Sequence, residues 1–429
     1  MGFQALPCWL QGMLARRWRA ADLGLLAAAV MLSACSSPSA TGAYGPAPAG
    51  GHGGAGGATD AGGNGGYGGD SASDATVADA SAADAGDGGH QDAEPTDAEQ
   101  EQAPLPPMPT QTFLIGYNEA WFGANFGSDY TTAYDLAYVQ KILDGIVAGG
   151  GHLVRLWFWE TPQGLTLAAS PPLTEAVDPK FLANVGEVLT EARKRALWVY
   201  ITLLDANTIV KIFEPYHTWG IDILTGNGGA REAFNDHALG PLCQVLDQHK
   251  DVVFGIDIVN EIQAATQNGV YADSWNGPRA FLAQEAQFIK SKIPWAKVTS
   301  SAGWPSDFIQ QGAQWDIGKG FYSGLGLDFY DLHAYDDSGS YPGATAMCNR
   351  AAMDGVPVYL GEFGQKTETI DDTLQYVATG YFLNNSMGLC LKGAFAWRYD
   401  PQESWWAYMR ADFTPRPAVQ IMQTFGALP

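Results

Sequence analysis

The sequence predicts an α/β fold, a (β/α)8 TIM barrel over residues 111–429, preceded by a signal peptide and a disordered tether. Three observations predict it. Eight short apolar runs alternate with segments of helical spacing. The runs are apolar at nearly every position, as in a parallel sheet covered on both faces. The 319 residues of 111–429 are long for an ordinary domain and normal for a closed barrel.

The elements follow in order. "TFLIGYNEAWF" is the first run, and in "DLAYVQKILDGIVAGG" Leu136, Val139, Ile142, Leu143 and Ile146 recur at helical spacing. "HLVRLWFWE" is the second run. Asp178–Pro179 then reads as an N-cap with Pro at the first helical position, and Phe181, Val185, Val188 and Ala192 share a face behind it. "LWVYITLLDA" is the third run. The segment 206–237 is long enough to wall a cleft, and a helix near 240–250 leads into "VFGIDIVNE", the fourth. "PRAFLAQEAQFIKSKI" is helical, and "KVTSSAGW", "LDFYDLHAY", "PVYLGEFG" and "GAFAWRYD" complete the eight, with Trp397 and Arg398 placed in the last of them. The final helix is "RPAVQIMQTFG".

The first 110 residues do not read as part of this fold. Arg16, Arg17 and Arg19 precede an apolar run from Leu23 to Leu32. That run falls short of the ~20 residues needed to span a bilayer and fits a signal-peptide core. Its end, Leu32-Ser33-Ala34-Cys35, resembles the lipobox of bacterial lipoproteins, which implies a signal peptide over 1–35 and a lipid on Cys35. Residues 36–110 contain no Lys or Arg, carry eleven acids between Asp60 and Glu101, and have almost no aliphatic bulk. Such a chain cannot bury enough apolar surface to offset its entropy, so a disordered linker is expected. No strand precedes its glycine repeats, which rules against a phosphate loop.

The formal net charge is −23, of which residues 111–429 carry −14. An acidic domain is a poor partner for nucleic acid or an anionic membrane surface, and is compatible with an uncharged substrate. The barrel region holds five histidines (His152, His217, His237, His249 and His333) with no His-x-His, and there is no Gly-x-Ser-x-Gly. Neither a metal-dependent nor a serine hydrolase is indicated, and no metal or cofactor is expected. Cys243, Cys348 and Cys390 form no Cys-x-x-Cys pair; an export route allows one disulfide among them, with the pairing open.

Barrel chemistry sits at the C-terminal strand ends. Polar residues recur there: Asn118 and Glu119, Arg155, Asp205 and Asn207, Asn260 and Glu261, His333 and Tyr335, Glu362, Trp397 and Arg398. "NE" at 260–261, "YLGEFG" with Glu362 placed 101 residues after Glu261, "VRLW" before them and "HAY" between resemble the retaining glycoside hydrolases of clan A. The chain is most similar to glycoside hydrolase family 5, the cellulase-like group, although Ile262 stands where many relatives have Pro.

The resemblance implies Glu261 as acid/base, Glu362 as nucleophile and Asn260 as the partner of the sugar 2-hydroxyl. Arg155 would keep Glu362 ionised, Tyr335 would hydrogen-bond it, His333 would line the same wall, and Trp397 would lie beneath the cleaved sugar. Together these imply endo cleavage of β-1,4-mannan or β-1,4-glucan by double displacement. The competing reading is a non-catalytic glycan-binding surface lipoprotein, which loss of either Glu would have favoured. Trp121, Trp157, Trp159, Trp275, Trp304, Trp405 and Trp406 could each stack on sugar or pack internally, and Glu119 and Glu160 could be rim acids that bind hydroxyls. The expected partner is a polysaccharide or oligosaccharide, met by an exported monomer that is either fixed to the envelope through Cys35 or secreted.

Overall fold

A computed structural model describes residues 105–122, 130–169, 171–207, 216–267, 270, 275–303, 320–335, 344–365, 372–401 and 406–428. Cys35, the signal peptide and the tether up to residue 104 lie outside the described residues, as do Trp304 and Trp405.

Eight parallel strands form the barrel: β1 (Leu114–Asn118), β2 (Leu153–Trp159), β3 (Trp198–Asp205), β4 (Val253–Asn260), β5 (Val298–Thr299 and Ser301–Ala302), β6 (Tyr330–Ala334), β7 (Val358–Phe363) and β8 (Leu391–Ala396). β8 pairs back onto β1, Gly393 opposite Leu114. β5 is broken at Ser300: its first piece pairs with β4 and its second with β6. The expected (β/α)8 barrel is therefore present, strand for strand. Trp397 and Arg398 lie just past the end of β8 rather than within it, where side chains can turn toward the rim.

Helices α1 (Leu136–Ala148), α2 (Pro179–Lys194), α3 (Gly240–Gln248), α4 (Asn276–Lys292), α5 (Ala344–Asp354), α6 (Asp372–Gly388) and α7 (Ala418–Gly426) follow the strands. Asp135 caps α1, its carboxylate accepting from Ala137 N–H at 2.9 Å and Tyr138 N–H at 3.3 Å. Asp178 caps α2 through Lys180 N–H at 2.8 Å, ahead of Pro179. The predicted apolar faces are buried except for Leu136, which opens α1 half-buried: Val139, Ile142, Leu143 and Ile146 on α1, and Phe181, Val185, Val188 and Ala192 on α2. Each of the larger side chains stabilises the fold by ~1.5–3 kcal/mol of gross transfer energy. Among the described residues no helix is long and apolar enough to cross a membrane.

Two additions had no signal in the sequence. A hairpin of Leu165–Leu167 and Thr174–Val177 follows β2, its strands too short to show a period. Helical segments from 216 to 239 precede α3. Residues 208–215 of the segment expected to wall a cleft lie outside the described residues. The rest packs against the hairpin and α4, with the Trp219 indole donating to Thr174 Oγ1 at 3.0 Å.

The barrel interior is stratified. Leu114, Leu153, Tyr200, Phe329 and Phe395 plug its N-terminal end. Above them lie buried polar groups. The Tyr200 hydroxyl donates to Asp331 at 2.5 Å, and Asp331 accepts the Gly361 N–H at 2.8 Å. A Cβ at 361 would overlap that carboxylate, so the residue before Glu362 must be Gly. A disulfide, Cys348–Cys390, ties α5 to the residue before β8, while the buried Cys243 is a free thiol.

Candidate active site

Strand register sets the layout. Asn118 is opposite Arg155, Asp205 opposite Asn260, and Glu362 opposite His333. Arg155 is fully buried at the centre. Its Nη1 donates to Asn118 Oδ1 at 3.0 Å and to Glu362 Oε1, and its Nη2 to Asp257 Oδ2 at 2.7 Å and Asn260 Oδ1 at 2.8 Å. A buried guanidinium is tolerated only when paired and hydrogen-bonded in this way. Burial works against its charge, but Glu362 and Asp257 raise its pKa further, so the cation is permanent.

Glu261 follows Asn260, and successive side chains of a strand point to opposite faces. Asn260 points inward: its amide donates to Asp205 at 2.9 Å and its oxygen accepts from Arg155 and from Ser301 Oγ at 3.2 Å. Continued strand geometry would send Glu261 outward, away from the pocket. Instead Glu261 takes a left-handed backbone, φ 51°, which returns its carboxylate to the rim. A non-glycine residue held there costs about 1–3 kcal/mol and persists only where the surroundings over-determine it. The Glu261 N–H donates to Ser301 Oγ at 3.1 Å. Asn207 donates to Glu261 Oε2 at 2.6 Å, and His333 Nδ1 is 3.0 Å from Oε1.

Glu362 is held on three sides. Besides Arg155, the Tyr335 hydroxyl donates to Oε2 at 2.5 Å, and His333 Nδ1 is 3.4 Å from the same oxygen. One oxygen of each glutamate and His333 nitrogen all lie within 4.8 Å of one another. Burial pushes the Glu362 carboxyl above the ordinary range, against the pull of His333 and Arg155. Burial would raise Glu261 too, but His333 and Asn207 outweigh it and leave that carboxyl low. The His333 cation is disfavoured by burial and restored by Glu362, Glu261 and Asp331, so its pKa is raised. The same nitrogen and two carboxylates have the donor set to ligate a divalent ion.

An aromatic wall stands beside the acids. Trp121, Trp157 and Trp397 meet with ring centroids 5.5–6.2 Å apart, and Trp406 packs on Tyr335 at 5.0 Å. Trp159 stacks on Phe181 and Trp275 packs on Phe321, so these two fill the core. Glu119 and Glu160 are both buried and turned to protein partners. Glu160 accepts from the Trp121 indole at 2.5 Å, and Glu119 faces Arg398. A separate cavity of about 440 Å³ opens at the N-terminal end among Trp198, Phe254, Trp295, Lys250 and Lys297, and among the described residues no acid lines it.

All seven barrel residues singled out from the sequence come together: Arg155, Asn260, Glu261, His333, Tyr335 and Glu362 in one hydrogen-bonded cluster, and Trp397 in the wall. Asp257 and Ser301 were missed. Asp257 accepts from Arg155 and from both Ser301 N–H at 3.0 Å and Ser301 Oγ at 2.9 Å. Its signal was present, an acid inside the otherwise apolar "VFGIDIVNE".

No protein-family model matches this chain, and no curated protein matches its sequence. Solved structures match its fold. A β-mannanase from the blue mussel Mytilus edulis superposes with a TM-score of 0.56 at 18% identity, over 74% of this chain and 92% of that one. A β-1,4-mannanase from the sea hare Aplysia kurodai gives 0.54 at 20%, over 73% and 92%. A GH5_18 enzyme from Streptomyces cattleya in complex with GlcNAc gives 0.57 at 15%, over 73% and 80%. At these identities the likeness is one of fold.

Proposed function

We propose that this chain is a retaining β-glycoside hydrolase of clan A, similar to family 5, that cleaves β-1,4-mannan or a related β-mannoside internally. The observation that carries the reading is the convergence of Glu261 and Glu362 on one rim, within 4.8 Å and bridged by His333. Retaining enzymes hold their carboxyls ~5–5.5 Å apart, whereas inverting ones leave ~6.5–9.5 Å for a water. The mannanases among the fold neighbours favour mannan over glucan.

In this reading Glu362, paired with Arg155, attacks the anomeric carbon as the bond to the leaving oxygen breaks. Glu261 gives that oxygen a proton, then removes one from the water that releases the glycosyl-enzyme. In the empty site the proton rests on His333 rather than Glu261, as their opposite pKa shifts require. It passes across the 3.0 Å hydrogen bond as sugar displaces water from the 17% of the Glu261 side chain still exposed, because desolvation favours the neutral acid. An amide nitrogen has two N–H donors; Asn260 commits one to Asp205 and offers the other to the 2-hydroxyl. Trp397 and its neighbours present the apolar face on which a sugar ring stacks.

The test is product analysis on mannan, glucomannan, cellulose derivatives, xylan and laminarin. Internal cleavage of mannan with a β-configured first product is expected, and no release from any β-glycan would end this reading. The disulfide is consistent with export. We read 1–35 as a lipoprotein signal, 36–110 as a tether and Cys35 as the anchor. Cys35→Ser should move the enzyme from the membrane fraction to the soluble one, and a wild type that is already soluble would remove the anchor.

A further inference from the structure

Behind the aromatic wall lies a second buried charge cluster that the chemistry above does not use. Arg398, Glu119 and Asp400 are each wholly buried. Arg398 Nε donates to Asp400 Oδ1 at 2.6 Å, and its Nη2 lies 3.5 Å from Glu119 Oε1. The Asp400 N–H donates to Glu119 Oε2 at 3.1 Å, and the Tyr138 hydroxyl on α1 donates to Asp400 Oδ2 at 3.1 Å. Glu119 begins the loop after β1 and Arg398 is the second residue of the loop after β8, so the cluster stitches two rim loops together.

What the cluster grips is Trp121. The guanidinium carbon stands 4.7 Å from the Trp121 ring centre, and Nη2 donates to the Trp121 carbonyl at 3.4 Å. Trp121 is also fixed by Glu160 at its indole N–H and by the edges of Trp157 and Trp397. Arg398 is, in addition, the chain neighbour of Trp397. These contacts of the buried cation lead to the wall and to the two acids that hold the cation in place.

We propose that Arg398 is a positioning residue for the aromatic wall, setting the tilt of Trp121 and through it the seat of Trp397, with Glu119 and Asp400 fixing the guanidinium. This deepens the glycosidase reading and rests on it for its kinetic consequence. A planar guanidinium can lie on an indole face and donate in its own plane to a carboxylate at once; an ammonium cannot. Burial and Asp400 push the Glu119 carboxyl well up, against Arg398, and the oxygen with which it accepts the Asp400 N–H is one that a glutamine also carries. A glutamine can take that place.

The experiment compares wild type with Arg398→Lys, Glu119→Gln and Glu119→Ala on two readouts. The first is the near-UV circular dichroism of the coupled tryptophans, which needs no substrate. The second is kcat and KM on mannan oligosaccharides. Arg398→Lys, with charge retained, should weaken the tryptophan signal and lower kcat/KM by about 3- to 30-fold, the range of one cation–π contact, mostly through kcat. Glu119→Gln should keep the signal and Glu119→Ala should lose part of it. A folded Arg398→Lys chain with wild-type signal and kinetics overturns the proposal, as does an altered signal with unchanged kinetics. Should Arg398→Lys fail to fold, the two Glu119 variants decide, and a wild-type signal from both counts against it. A wild type inactive on every glycan defeats the glycosidase reading instead, and the dichroism still tests the positioning role.

Discussion

His333 Nδ1 lies 3.0 Å from Glu261 Oε1, with Glu362 Oε2 only 3.4 Å away on its other side. One ring nitrogen thus addresses both acids, and its proton cannot serve both fully. Asn207, on the far oxygen of Glu261, makes the contact lopsided: Glu261 is gripped at both oxygens and stays ionised in the empty site.

The two glutamates should fail differently. Glu362→Ala should abolish turnover of natural and activated substrates alike. Glu261→Ala should lose ~10²–10⁴-fold on polysaccharide, the usual contribution of a general acid, yet still form the glycosyl-enzyme from a dinitrophenyl glycoside. Azide should rescue the Glu261 variant with retained β configuration and the Glu362 variant with inverted α configuration. Product NMR reads both, and exchanged stereochemistry would mean the roles are reversed.

The pH profile should depend on His333 at both limbs. In the proposed mechanism Glu362 must be ionised, so activity should fall as pH drops through that raised pKa. It also needs the proton shared by His333 and Glu261, so it falls as pH climbs through the raised His333 value, above the ordinary ~6.5. His333→Gln removes a cation from beside Glu362, which moves the acid limb up. It leaves the alkaline limb to Glu261 alone, a carboxyl in place of an imidazole, which moves that limb down. The bell in kcat/KM should narrow from both sides; an unchanged width would remove the shuttle.

Reduction should loosen the part of the barrel that carries Glu362. Cys348 and Cys390 are 42 residues apart, and the loop they close contains β7 and α6. By the chain-entropy relation its loss costs about 4 kcal/mol. Cys348→Ser with Cys390→Ser should lower Tm, and dithiothreitol should lower the wild type toward the same value while sparing the double variant. Equal Tm with and without reductant would show the cross-link idle.

Glu285 should make the fold less stable as pH rises. Burial pushes its carboxyl up to about 7, against Asn235 and Arg231. A raised folded-state value means that its contribution is complete below the ordinary ~4.3 and is lost as pH climbs through about 7. Glu285→Gln should therefore raise Tm at pH 8 and change it little at pH 4. Thermal melts across this window decide it, and a variant less stable at pH 8 would count against the buried-acid account.

The barrel and most of its site were legible because they rest on short-range signals. Apolar runs set the strands, and Asp178–Pro179 marked the start of a helix. The position of a residue at a strand end sufficed to place Glu362, His333 and Tyr335 on one rim, whereas Glu261 reaches it only through its left-handed backbone. What was not legible depends on contacts across the barrel. Asp257 looks like a flaw in an apolar run until Arg155, 102 residues away, is seen to bond it. Glu119 and Glu160 read as rim acids because sequence shows their place on the strand but not the Arg398 and Trp121 that enclose them. The hairpin at 165–177 is fixed by Trp219, far downstream.

The left-handed backbone of Glu261 sets the interests of folding and catalysis against each other at a single position. Glycine alone occupies φ 51° without penalty. Glu261→Gly would therefore relieve a backbone penalty of about 1–3 kcal/mol while deleting the acid. A screen for heat resistance alone would weigh that relief against the lost hydrogen bonds from Asn207 and His333, with no account taken of the acid. Glutamate there is held against its own backbone by Asn207, His333 and Ser301.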